Sequence, residues 1–120
     1  MSKVVEKFLR YVSFDTKSDE FAKQFPSTNG QKILGNELVK ELESMGLQYV
    51  SMDENGYVMG KLPSNMDKKV PTVGFISHMD TSPDMSGKDV KPNIIKNYDG
   101  KDIKLNENLY LNVEDFPEIK

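Results

Sequence analysis

The chain has 120 residues, with 16 Lys and Arg against 19 Asp and Glu, one His, no Cys and no Trp, for a net charge of −3. That length allows one ordinary domain or part of a larger one. The acidic balance lacks the basic stripe of a nucleic-acid-binding protein, and the absence of cysteine excludes disulfides, iron–sulfur clusters, cysteine-based zinc sites and thiol catalysis.

Val4, Val5, Phe8, Leu9 and Val12 recur at helical spacing with charged residues between them, and predict a short amphipathic helix over residues 3–13. Lys3, Glu6, Lys7 and Arg10 interrupt the same stretch, which therefore lacks the apolar run of a signal peptide. A polar, turn-rich stretch follows from Ser13 to Asn29. Thr28 and Gln31 then stand at the spacing of a capping box. Ile33, Leu34, Leu38, Leu42 and Met45 mark one face of a second helix, with Gly46 placed as its left-handed cap.

Leu47–Met52 and Tyr57–Leu62 flank Asp53-Glu54-Asn55-Gly56, and the Asn-Gly step between two strand-like runs predicts a hairpin. Pro63 to Lys69 reads as a surface loop. Val70 to Ser77 is apolar at nearly every position, with Pro71 at its start, and predicts a strand buried on both faces. Its uninterrupted apolar stretch, Val73 to Ile76, is far too short to span a bilayer. Thr81 to Asp89 is small and polar and reads as a loop. Lys91–Tyr98, Ile103–Leu105 and Leu109–Val113 are short strand candidates, with Asp99-Gly100 as a turn. Helices, hairpin and buried strand make an α/β order. Both helices precede the most buried strand, so the expected sheet has only part of its cover.

Chemistry concentrates at one place. His78 is the only histidine, it follows directly on the buried run, and Asp80 stands two residues on. Ligand sites of open α/β sheets lie beyond the carboxyl ends of strands, where this pair falls. Imidazole is a common zinc ligand, and a nearby carboxylate can accept its other ring N–H, fixing the tautomer and raising its basicity. A structural strand-end histidine, hydrogen-bonded to Asp80, fits the same residues, and the residue types leave both readings open. A catalytic zinc takes three protein ligands; Asp84 and Asp89 are near in sequence, but no helical His-Glu-x-x-His pattern exists. Ser77, Thr81, Ser82 and Ser86 surround the histidine without a Gly-x-Ser-x-Gly elbow and read as loop hydroxyls. There is no Walker loop and no dinucleotide-binding glycine fingerprint.

The tract Gly74-Phe75-Ile76-Ser77-His78-Met79-Asp80-Thr81-Ser82-Pro83-Asp84 resembles the dizinc M20 metallopeptidase family, in its tripeptide aminopeptidase branch. Phe8 to Thr16, Pro26 to Gln31, Glu43 to Leu47, Ser86-Gly87-Lys88 and Asn97-Tyr98-x-Gly100 resemble the same N-terminal region, so the likeness runs through essentially the whole chain. It implies a fold: the N-terminal part, residues 1–120, of a zinc-peptidase-like α/β/α catalytic domain with a mixed sheet, incomplete as it stands. It also implies roles, with His78 as a ligand of one of two zincs and Asp80 as the catalytic-site carboxylate that orients this histidine. The family's bridging Asp, its Glu-Glu pair, its remaining ligands and its dimerising lid domain have no counterpart in these 120 residues.

The resemblance thus implies a cytoplasmic zinc aminopeptidase that removes the N-terminal residue from tripeptides when full-length. Small peptides are its expected partners, a homodimer is possible for the intact protein, and no nucleic acid or membrane partner is expected. These residues alone are expected to be inactive. The alternatives are another dizinc hydrolase of the family (a dipeptidase, carboxypeptidase or deacylase), or a non-catalytic binding domain on the same scaffold. The Thr81-Ser82-Pro83-Asp84 continuation favours the tripeptide aminopeptidase.

Overall fold

A computed structural model describes residues 2–120. Helix α1 spans Lys3–Tyr11, and the Ser2 hydroxyl caps it by accepting the Val5 amide hydrogen. Helix α2 spans Asn29–Ser44. Strands β1 (Gln48–Met52) and β2 (Val58–Lys61) form the antiparallel hairpin that Asn55-Gly56 predicts. Strands β3 (Ile103–Lys104) and β4 (Tyr110–Leu111) form a second, two-stranded antiparallel sheet, and a 3₁₀ turn covers Pro117–Ile119. Helices and small sheets together make an incomplete α/β arrangement.

Helix α2 ends as the sequence indicates. Gly46 has φ +82°, its N–H bonds the Glu43 carbonyl, and the Leu47 N–H bonds the Leu42 carbonyl. This is the paired Schellman arrangement, which satisfies carbonyls that the last helical turn leaves open. The helix start differs from expectation. Thr28 is the N-cap residue, but its hydroxyl donates to the Lys17 carbonyl at 2.9 Å and takes no helix amide. The Gln31 side chain turns to Ser27 and to the Thr16 carbonyl, so no capping box forms. The reason is the nearness of the Asp15–Ser18 segment, whose carbonyls need donors and find them on the helix's first turn.

The core is small. Leu34 and Gly35 are buried, Leu38 and Leu42 half-buried, and the hairpin covers this side of α2. Ile33 and Met45, expected on the same face, are exposed, because the hairpin reaches only one side of the helix. The apolar stripe of α1 is likewise uncovered at Val4, Val5 and Phe8. What docks α1 is charge: Lys7 and Arg10 both pair with Glu41 of α2.

Two strand expectations are corrected. Val70–Ser77 forms no strand, and Phe75 and Ile76 are 96% and 99% exposed. A strand buried on both faces needs neighbours on either side and cover above and below, and the described residues supply none of these. Lys91–Tyr98 is also not a strand: Pro92 lacks a donor, and Asn97 sits at φ +53°, outside the β region. The turn at Asp99-Gly100 is present, with Gly100 at φ +76°. There a hydrogen bond from the Lys101 ammonium holds the Asp99 carboxyl below the usual carboxylate range. The radius of gyration, 18.3 Å, exceeds the about 14 Å of a compact chain of this length, as the uncovered second half requires.

Two glycines of α2 separate backbone constraint from side-chain constraint. A Cβ on Gly30 would run into the Asp15 carbonyl oxygen, whereas one on Gly35 would meet the tip of Met52, its sulfur at 2.5 Å. Backbone cannot step aside as a methionine tip can. Gly30→Ala is therefore expected to cost about 2–3 kcal/mol. Gly35→Ala should stay within about 1 kcal/mol of wild type, since its helix-propensity gain offsets the repacking. Denaturant melts of the two variants check this, and equal losses would refute the distinction.

Candidate metal centre

His78, Met79 and Asp80 directly precede the Thr81 bridge, and their side chains part to two sides. Met79 points inward: its Cε would lie 3.8 Å from a Cβ built on Gly35 of α2. His78 and Asp80 share the other side, and the imidazole Nδ1 lies 2.9 Å from Asp80 Oδ1. The histidine side chain is 83% exposed and the aspartate 42%.

A carboxylate oxygen accepts hydrogen bonds, so this contact suits the Nδ1–H tautomer, and among the described residues Nε2 has no hydrogen-bond partner. That is the donor set of one metal-ligating imidazole with its supporting carboxylate. Among the described residues, no three His, Cys, Asp or Glu side chains come together as a metal-holding group. Asp84 is engaged by the Ser82 hydroxyl at 2.7 Å. The pair thus fits one ligand and its support, and the described residues do not assemble a complete site.

The support beneath the pair was not visible in the motif. Thr81 forms a parallel bridge to Lys17. Its N–H donates to the Thr16 carbonyl at 3.1 Å, and its carbonyl accepts from the Ser18 N–H at 3.0 Å and the Ser18 hydroxyl at 2.9 Å. Thr16 is 3% exposed and Gln31 6%, so the strap side of this junction lies under the helix start, while Thr81 itself is exposed. The only advance signal was the His-Met-Asp alternation itself, one apolar residue between two polar ones.

Comparison with known proteins sets this chain beside peptidases. In particular it is similar to peptidase T: 61% identical over its full length to Peptidase T of Caldanaerobacter subterraneus subsp. tengcongensis, and 60% to that of Clostridium novyi. Over 97% of the chain it is 55% identical to Peptidase T of Bacillus subtilis. The chain spans about 30% of the length of the curated relatives it matches, consistent with an N-terminal segment of such a protein. No protein-family model matches it. Among the described residues, no helix is long and apolar enough to cross a membrane.

The contrast between residues 73–77 and Thr81 is open to measurement. Among the described residues the former amides have no backbone acceptor, while the Thr81 amide is bonded to Thr16. Hydrogen exchange should be near the intrinsic rate at residues 73–77 and slowed at Thr81 and Ser18. Uniform protection across 70–81 would restore the paired strand that the sequence suggests.

Proposed function

We propose that the intact protein containing this chain is a zinc-dependent aminopeptidase of the peptidase T kind, releasing the N-terminal residue of tripeptides. The observation that carries the reading is the coincidence of whole-chain similarity to peptidase T with a His78–Asp80 pair whose Nε2 has no hydrogen-bond partner among the described residues. In this reading residues 1–120 are the N-terminal portion of the catalytic domain of an M20 metallopeptidase acting in the cytoplasm, with two zincs per complete site and a homodimeric intact form.

His78 holds one metal through Nε2. Asp80 keeps the Nδ1 proton, which fixes the tautomer and the ring plane. When bound, the metal supplies an acidified water and a Lewis acid for the scissile carbonyl. The residues of this chain contribute the ligand, its orientation and the stretch that carries both. Other ligands come from elsewhere in the intact protein, so the 120-residue chain by itself is inactive.

The test uses the full-length protein and a panel of peptides. Tripeptide cleavage, lost on chelation and restored by zinc, is expected, while dipeptides, N-acyl amino acids and C-terminal trimming report the rival hydrolases. His78→Ala should abolish turnover, and Asp80→Asn should lower activity or metal affinity roughly 10–100-fold. Full activity in His78→Ala would sink the reading.

The isolated 120-residue chain is expected to show no tripeptide hydrolysis at any zinc concentration. Cleavage by the pure chain, removed by His78→Ala, would show that the site is complete without further residues.

A further inference from the structure

The His78–Asp80 pair stands on a segment with little to hold it. Among the described residues, every hydrogen bond that joins residues 62–97 to an earlier part of the chain is made by the main chain of Thr81. Its partners are Thr16 and Ser18. These in turn belong to a strap whose position is set three times over by the start of α2: Gly30 leaves room for the Asp15 carbonyl, the Thr28 hydroxyl binds the Lys17 carbonyl, and the Gln31 amide reaches the Thr16 carbonyl.

We infer that the strap Asp15–Ser18 is the device that positions the His78–Asp80 pair, and that Ser18 is a positioning residue for it. The Thr81 N–H, bonded to the Thr16 carbonyl, fixes the Asp80–Thr81 peptide plane from which the Asp80 side chain departs, and the Ser18 bonds to the Thr81 carbonyl fix the next plane, so that Thr81 is held on both sides. With that plane held and Met79 seated against α2, Asp80 Oδ1 stays within reach of His78 Nδ1. Ser18 closes the clasp twice, through its N–H and through its hydroxyl. A ligand must be held to within about 0.5 Å to serve a metal, and an unpaired exposed segment cannot supply that precision by itself. This inference rests on the reading of His78 as the metal-facing group, and it names what keeps that group in place.

The test needs neither metal nor substrate. His78 is the only histidine of the chain, so ¹⁵N-histidine labelling gives one imidazole spectrum, in which the Nδ1–H and Nε2–H tautomers are distinguished. The Nδ1–H form is expected to dominate in the wild-type chain. Ser18→Ala, which removes the hydroxyl bond to Thr81, should lower the Nδ1–H to Nε2–H ratio roughly threefold, as loss of one modest hydrogen bond implies. Ser18→Thr, which keeps the hydroxyl, should restore it. Ser44→Ala deletes a similar hydroxyl bond at the far end of α2 and should leave the ratio unchanged.

An unchanged ratio in Ser18→Ala would overturn the inference, and so would dominance of the Nε2–H form in the wild type. Equal falls in Ser18→Ala and Ser44→Ala would reduce the effect to general loosening and overturn it as well. Because no activity is read, an unchanged ratio in Ser18→Ala, or equal falls in the two serine variants, leaves the peptidase reading standing. Conversely, an active His78→Ala protein would fail that reading whatever the tautomer shows.

Discussion

The carbonyl oxygen of Asp15 occupies the space where a side chain would begin on Gly30, and most of what is ordered around the candidate site follows from that approach. With the strap this close, Thr28 and Gln31 spend their polar atoms on its carbonyls instead of on the helix amides. The strap then offers its free edge, one carbonyl and one amide, to Thr81. Helix, strap and site segment are thus stacked in that order, each held by the one before. A main-chain contact of this kind is unforgiving, because neither partner has a rotamer to change.

The other end of α2 is held differently. Helix α1 buries none of its residues, and its attachment relies on Lys7 and Arg10 converging on Glu41, whose side chain is only 12% exposed. Exposed ion pairs contribute little, but a half-buried carboxylate needs compensation. Of the apolar stripe of α1, Val4, Val5 and Phe8 are exposed and only Leu9 and Val12 are half-buried, which leaves little hydrophobic burial to add to that charge. One helix therefore carries a steric, main-chain anchorage at its start and an electrostatic one near its end.

Local structure was legible where local chemistry decides it. Gly46 and the Asn55-Gly56 turn need positive φ, and the residues that tolerate it stand where helix and hairpin end. The small β3–β4 sheet also lies within its expected runs. Reading failed where an element depends on partners distant in sequence. Val70–Ser77 has the composition of a central strand, but composition records what a segment is suited to pack against, not whether that surface is at hand. The capping box failed for a related reason: Thr28 and Gln31 have the right spacing, yet a strap eleven residues upstream of Thr28 competes for the same atoms. At the site, His78 and Asp80 were legible as a pair because they stand two residues apart at the end of an apolar run. Thr16 was not, since its main-chain bond leaves no mark on residue type, nor was Ser18, whose hydroxyl reaches a carbonyl far along the chain with no local spacing to announce it.

The run before the histidine has one more consequence. Proteases bind substrates as extended strands with free amides and carbonyls, pairing them as an added strand in the cleft. Among the described residues the backbone of Phe75 and Ile76 is unpaired, with both side chains in solvent. Wherever this chain lacks a covering neighbour, the stretch that delivers its histidine leaves its backbone open to such pairing, and cleavage there would separate the His78–Asp80 pair from the helices that come before it.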